Sequence, residues 1–179
     1  FNGSIGLPVQ STKIKIIDDD GNPVERNQPG ELCVQGPQVM SGYWKVQDEK
    51  NKYFTKDDFF KTGDIATMND KGYIKIVDRK KDMIISSGYN VYPNELEDYL
   101  ATHPDILEAG VIGVDDKNRG EYIKAFVVTK NKNLSSSDII SFCKKGLTEY
   151  KVPKRIVFIE DLPKTNVGKI LRRELRNIT

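Results

Sequence analysis

The hydrophobic pattern of this sequence changes character at one place, the charged run Asp78-Arg79-Lys80-Lys81-Asp82. Upstream, short apolar stretches alternate with polar residues and are cut by turn formers. Downstream, strand-like stretches alternate with segments of helical period. One uniform sheet or one helical bundle cannot satisfy both halves. The sequence predicts an α+β chain, with a β-rich part over 1–80 and a small α+β domain over 81–179. The boundary falls near Lys81, because solvated charge runs are typical of linkers.

In the first part Lys13-Ile14-Lys15-Ile16-Ile17 alternates, and Asp18-Asp19-Asp20-Gly21-Asn22-Pro23 supplies turn chemistry. Pro29-Gly30 turns the chain again before a strand over Glu31–Gly36. Lys45 to Asp58 is polar and predicts a short helix or loop. Ile65–Met68 and Tyr73–Val77 predict a hairpin around Asn69-Asp70-Lys71-Gly72.

In the second part Pro93 stands where helix starts favour proline, with Leu96, Tyr99 and Leu100 at helical spacing before Pro104. Glu108–Val114 and Tyr122–Lys130 predict strands joined through a polar loop containing Gly120. Ser135-Ser136-Ser137-Asp138 starts a helix whose apolar face is Ile139, Ile140, Phe142, Cys143 and Leu147. Arg155–Ile159 predicts a further strand, and Ile170–Arg176 a last short helix.

Composition narrows the chemistry. Among 179 residues, 28 Lys and Arg against 26 Asp and Glu leave a net charge of +2, too little for a field that selects nucleic acid or membranes. The basic tail (Lys164, Lys169, Arg172, Arg173, Arg176) has no interleaved aromatics to receive bases, and Ile170, Leu171 and Leu175 give it a packing face. No apolar run reaches membrane-spanning length and no signal-peptide pattern opens the chain. It starts at Phe1 rather than Met and reads as a piece of something larger. The distant Cys33 and Cys143 predict buried free thiols in a reducing compartment. His103, the only histidine, precedes Pro104 and predicts a helix C-terminal residue rather than a ligand or base; no metal site is expected.

Several short motifs carry polar chemistry. Gly168-Lys169 places a mobile cation beside a residue that lets the backbone approach a ligand, at the mouth of the last basic helix. It is not a Walker loop, which needs Gly where Pro163 stands and Ser or Thr where Ile170 stands. Lys61-Thr62-Gly63-Asp64, just before a strand-like run, offers a carboxylate on a Gly turn, suited to a sugar diol. Asp78-Arg79 closes a strand and can donate to hydroxyl or phosphate oxygens. Ser86-Ser87-Gly88-Tyr89-Asn90 suits either a plain turn or an extended chain passing along the backbone.

In their order along the chain, Lys61 to Asp64, Asp78 to Asp82, Ser87 to Glu97 and Pro163 to Lys169, the motifs resemble the C-terminal part of the adenylate-forming superfamily of acyl-CoA synthetases, luciferases and adenylation domains. Ser87 to Glu97 and Pro163 to Lys169 carry much of the resemblance, with Gly30-Glu31-Leu32-Cys33-Val34-Gln35-Gly36 and Ser41-Gly42-Tyr43-Trp44 upstream. The wording of Asp78 to Glu97 and of Lys151 to Arg176 is most similar to bacterial long-chain fatty-acid–CoA ligases. The resemblance implies that 1–80 is a distorted-barrel subdomain, the last of a large domain, and that 81–179 is a mobile domain pivoting at Lys81. It implies acid activation with ATP, Mg2+ accompanying the ATP on ligands outside this chain, and transfer of the acyl group to CoA. Lys169 would be the catalytic lysine, and Asp64 and Arg79 would bind the nucleotide ribose. Ser87, Gly88 and Tyr89 would line the CoA path, with Lys151 a further candidate for the CoA phosphates. The implied partners are a fatty acid, ATP, CoA and an N-terminal large domain, without which the fragment is expected to be inactive. The implied location is cytoplasmic, with peripheral contact at the inner membrane left open. Two alternatives stay open: another acid or a carrier-protein acceptor, and a non-catalytic CoA-binding module.

Overall fold

A computed structural model describes residues 3–44, 50–116 and 120–178, without the side chains of residues 50 and 51. The chain divides into two compact units, Phe1–Lys81 and Asp82–Thr179.

The first unit is a four-stranded antiparallel sheet in sequence order: β1 Lys13–Ile17, β2 Gly30–Gln35, β3 Phe60–Met68 and β4 Ile74–Arg79. Its strands form an open sheet among the described residues. Ile16, Leu32, Ala66 and Ile74 pack on one face as its core. The Asp-rich turn after β1 is closed by Asp18, whose carboxylate accepts from Asn22 N at 2.8 Å. A one-turn helix, α1 Lys50–Tyr53, lies in the polar stretch before β3; residues 45–49 of that stretch are outside the described residues. The β3–β4 hairpin pairs Met68 with Ile74, and β3 begins earlier than the alternation indicates.

The second unit is a mixed sheet of order β6-β5-β8-β7, with β9 parallel to β8. Its strands are β5 Ile84–Ser86, β6 Tyr89–Val91, β7 Ile106–Asp116, β8 Gly120–Thr129 and β9 Arg155–Phe158. Two helices, α2 Pro93–Ala101 and α3 Ser136–Gly146, pack on one face and the short α4 Arg172–Leu175 is buried against the other. Strand alternation explains why β8 reads as one apolar run. Ile123, Ala125 and Val127 face α2 and α3, whereas Phe126 faces Leu162 and Leu175. Ser135 caps α3 in a reciprocal capping box with Asp138, and Pro93 occupies the first turn of α2. The last helix is shorter than Ile170–Arg176, because Ile170 is bridged to Lys164 instead. No helix among the described residues is long and apolar enough to cross a membrane.

His103 lies just past the end of α2. Its Nδ1 accepts from Asp105 N at 3.1 Å and its ring meets Phe142 edge-on, a structural placement. Both cysteines are free and buried, and burial pushes each thiol up to about 11. In the native chain at pH 8 neither Cys33 nor Cys143 is therefore expected to react with a thiol-specific disulfide reagent on the timescale of free cysteine. Both should react in denaturant, and a rapid native reaction at either position would contradict this packing.

Candidate active site

Asp64 and Arg79 are brought together by a bulge. Glu31 stands opposite Ile65 and Cys33 opposite Lys61, so Thr62, Gly63 and Asp64 share the space across from Leu32. Gly63 makes this possible at φ 72°. The hydroxyl of Thr62 donates to Leu32 O at 2.9 Å and accepts from Asp64 N at 3.1 Å, which fixes the bulge. The motif thus lies inside β3, where sequence reading put it in a turn ahead of a strand. Across the ladder Asp64 pairs with Arg79, whose Nε lies 3.1 Å from Asp64 Oδ1. The backbone N–H of Arg79 donates to the buried carboxylate of Asp78 at 2.7 Å, holding the strand end. An ionised carboxylate has about four acceptor sites and a guanidinium five donors. Their mutual bond uses few of these, so the pair can still receive a vicinal diol.

Lys169 stands on a hairpin tip rather than at the mouth of a helix. Thr165 N donates to Lys169 O at 2.8 Å, Gly168 N to Thr165 O at 2.9 Å, and Leu171 N to Pro163 O at 2.8 Å. Gly168, at φ 79°, takes the left-handed position that closes a three-residue loop. The neighbouring cations are occupied. Lys164 lies 2.7 Å from Glu108, whose carboxylate holds the ammonium above the usual lysine range. Arg172 donates to Glu97 at 2.7 Å and to Asn94 at 2.6 Å, and Arg173 pairs with Glu174. Lys169 is exposed, and among the described residues its ammonium has no partner. A mobile cation on a stiff support can meet an anionic ligand without first breaking an ion pair.

Ser87 and Gly88 form the two-residue loop between β5 and β6, with Ser86 paired to Tyr89. Both have positive φ, 53° and 83°, the geometry of a type I′ turn. Tyr89 stacks on Tyr150 with ring centroids 4.4 Å apart. A groove of about 570 Å³ opens beside this stack, lined by Ser87, Tyr89, Tyr122 and Tyr150 together with Lys144 and Lys154. Lys151 is tied to Glu95 at 2.6 Å, so an anion there would have to displace a carboxylate. Tyr150, Lys144 and Lys154, the last itself paired with Asp116 at 3.0 Å, line this groove and were missed by sequence reading. Their signal is faint, since they come from a short turn, a helix and a strand approach that only the tertiary fold unites.

Among the described residues no cluster of three or more His, Cys, Asp or Glu could hold a metal ion. Lys81 is exposed at the last position of the first unit.

Comparison with known proteins gives these residues a context. The profile of the AMP-binding enzyme C-terminal domain matches residues 95–169, and that of the AMP-binding enzyme matches residues 1–44. The chain is 54% identical over 176 residues to a long-chain-fatty-acid–CoA ligase of Escherichia coli O157:H7, covering 98% of this chain and 31% of that protein. It is 42% identical over 175 residues to the mitochondrial medium-chain acyl-CoA ligase ACSF2 of Macaca fascicularis, covering 97% and 28%. The crystal structure of ATP-bound MatB from Rhodopseudomonas palustris superposes with a TM-score of 0.91 at 32% identity, over 98% of this chain and 35% of that one. The chain thus spans about a third of the length of the curated relatives it matches. Two matching profiles, with 54% identical relatives that align over 98% of the chain, establish that the chain belongs to the AMP-binding, adenylate-forming enzymes and contains that family's C-terminal domain.

Proposed function

We propose that the protein containing this chain is an ATP-dependent long-chain fatty acid–CoA ligase. The observation that carries the reading is the presence in one chain of an Asp64–Arg79 diol receptor and of Lys169, a lysine on a stiff tip with no partner among the described residues. In the first half-reaction an oxygen of the fatty acid carboxylate attacks the α-phosphorus of ATP, and pyrophosphate leaves with the electrons of the broken P–O bond. Asp64 accepts from the ribose hydroxyls and Arg79 holds Asp64 in place. Lys169 meets the acid carboxylate and the α-phosphate, bringing two anions together and stabilising charge as it shifts between oxygens. Mg2+ would accompany the ATP and supply counter-charge; among the described residues no cluster of acidic or metal-binding side chains is placed to hold it.

In the second half-reaction the CoA sulfur, having lost its proton, attacks the acyl carbon and AMP leaves. Ser87, Gly88 and Tyr89 line the path of the thiol arm, and the groove beside Tyr150 supplies apolar rings with lysines at its rim. Lys169 and the thiol arm need the same reaction centre at different times, so the second unit turns about Lys81 between the steps.

The identity of the acid rests on the 54% identical relatives, and the 42% identical medium-chain ligase supports a second reading with a shorter acid. A panel of long-chain, medium-chain and aryl acids assayed with the full-length protein, ATP and CoA decides between them. Acyl-CoA and AMP are expected, with long-chain acids giving the highest kcat/KM. A medium-chain or aryl optimum overturns the acid assignment, and no acid-dependent exchange of pyrophosphate into ATP overturns the ligase. The isolated 179-residue chain is expected to form no acyl-CoA.

A further inference from the structure

The charged run at the unit boundary is not a uniformly solvated linker. Asp78 is buried at the end of β4, and Arg79 is held in register by Asp64. Lys80 reaches back into the first unit, with its ammonium 2.9 Å from Asp19 and 3.0 Å from Glu31. The Glu31 side chain is only 9% exposed, so this contact is less screened than a surface ion pair. Burial acts to lower the Lys80 pKa, yet the hydrogen bonds its ammonium donates to Asp19 and Glu31, with the charges of those carboxylates, outweigh it and leave it raised. On the other side Asp82 faces into the second unit, 3.6 Å from Arg172 and 3.9 Å from Arg176. Asp82 and Arg172 are 13% and 12% exposed, and Arg172 is itself anchored on Glu97. Between these two anchorages stands Lys81, exposed and, among the described residues, without a side-chain partner.

We propose that Lys80 and Asp82 are positioning residues that clamp the chain to opposite units on either side of Lys81, so that turning is confined to the backbone at that residue. The proposal rests on the reading that the second unit turns between half-reactions. The stretch between β4 and β5 is Lys80 to Met83, and each residue contributes two soft dihedrals. Left free, that stretch would let the second unit sample a broad range of orientations. Fixing Lys80 to the first unit and Asp82 to the second leaves mainly the dihedrals at Lys81, which select a few discrete orientations. A productive orientation then forms a larger fraction of the whole, and the rates of both steps scale with that fraction.

The test uses the full-length protein with spin labels at Lys71→Cys and Lys132→Cys, one exposed position in each unit. Cys33 and Cys143 are buried, and cysteines outside this chain are replaced by Ser. Distances between the labels are measured with ATP, and with CoA plus a non-hydrolysable acyl-adenylate analogue. With native Lys80 and Asp82, each ligand state should give one narrow distribution at a different distance. Lys80→Met and Asp82→Asn should each broaden both distributions. Each should also lower kcat of both half-reactions by about 3- to 10-fold, with KM for ATP and CoA unchanged. Lys80→Arg should restore the narrow widths, which a general loss of stability would not do. If the native protein switches between ligands and the variants keep its widths, the clamp is wrong while the turning survives. If the native protein shows one ligand-independent distance, the turning is wrong and the clamp falls with it.

Discussion

Lys169→Ala in the full-length protein is expected to slow adenylation by roughly 10³-fold, the scale of removing a cation aimed at charge developing in the transition state. Thioester formation from supplied acyl-adenylate should stay near the native rate. The selectivity follows from where the lysine stands. Its ammonium has no partner among the described residues, and the tip beneath it is held by backbone bonds from Thr165, Gly168 and Leu171. Removing the side chain therefore breaks no ion pair and leaves no buried acid exposed, so Tm should stay within the small range of surface substitutions. Lys164→Ala makes the contrast, because it would strip the partner from Glu108 without removing a free cation. Pyrophosphate exchange measures the first step and release of AMP from synthetic acyl-adenylate the second. Equal losses in both, or a fall in Tm that accounts for the loss, would show that Lys169 is structural.

The parts of the fold legible in the sequence are those written in local chemistry. Pro93 and the Ser135–Asp138 box mark helix starts that need only a few neighbouring residues, and β7 and β8 are long enough for their apolar runs to stand out. The bulge at Gly63 was not legible, because a glycine in a turn and a glycine in a bulge look alike until the partner strand is known. Its consequence is functional. Asp64 and Arg79 could be nominated separately, yet only the β3–β4 register sets them opposite each other. The β5–β6 hairpin escaped because three-residue strands are too short to show a period. The basic tail misled in another way. Arg172 looks solvated, but its partners Asn94 and Glu97 lie more than seventy positions away, a pairing that adjacent sequence cannot announce. Lys151 is a candidate on the resemblance, and Glu95 already occupies it, a pairing 56 positions apart that local sequence does not announce.

Gly88→Leu should produce the reverse of the Lys169 phenotype, a loss of about 10²-fold in thioester formation with adenylation largely retained. Two causes are mixed in that substitution and can be separated. Gly88 has φ 83° in a two-residue turn, so any side chain there carries a backbone cost of roughly 1–2 kcal/mol. A Cβ at Gly88 would meet no atom within 4 Å among the described residues, so the first carbon of a side chain has open space there. Gly88→Ala pays the same backbone cost while projecting only one methyl, whereas leucine extends further into the open space beside Ser87 and Tyr89. If the loop lines the path of the thiol arm, leucine should slow the second step far more than alanine, with the two proteins equally destabilised. If alanine and leucine are equally slow, turn strain explains the defect. If both half-reactions fall together, the loop serves no separate step. A larger leucine effect confined to the thiol reaction would mean that Gly88 is required because the CoA arm passes over it, beyond any demand of the turn.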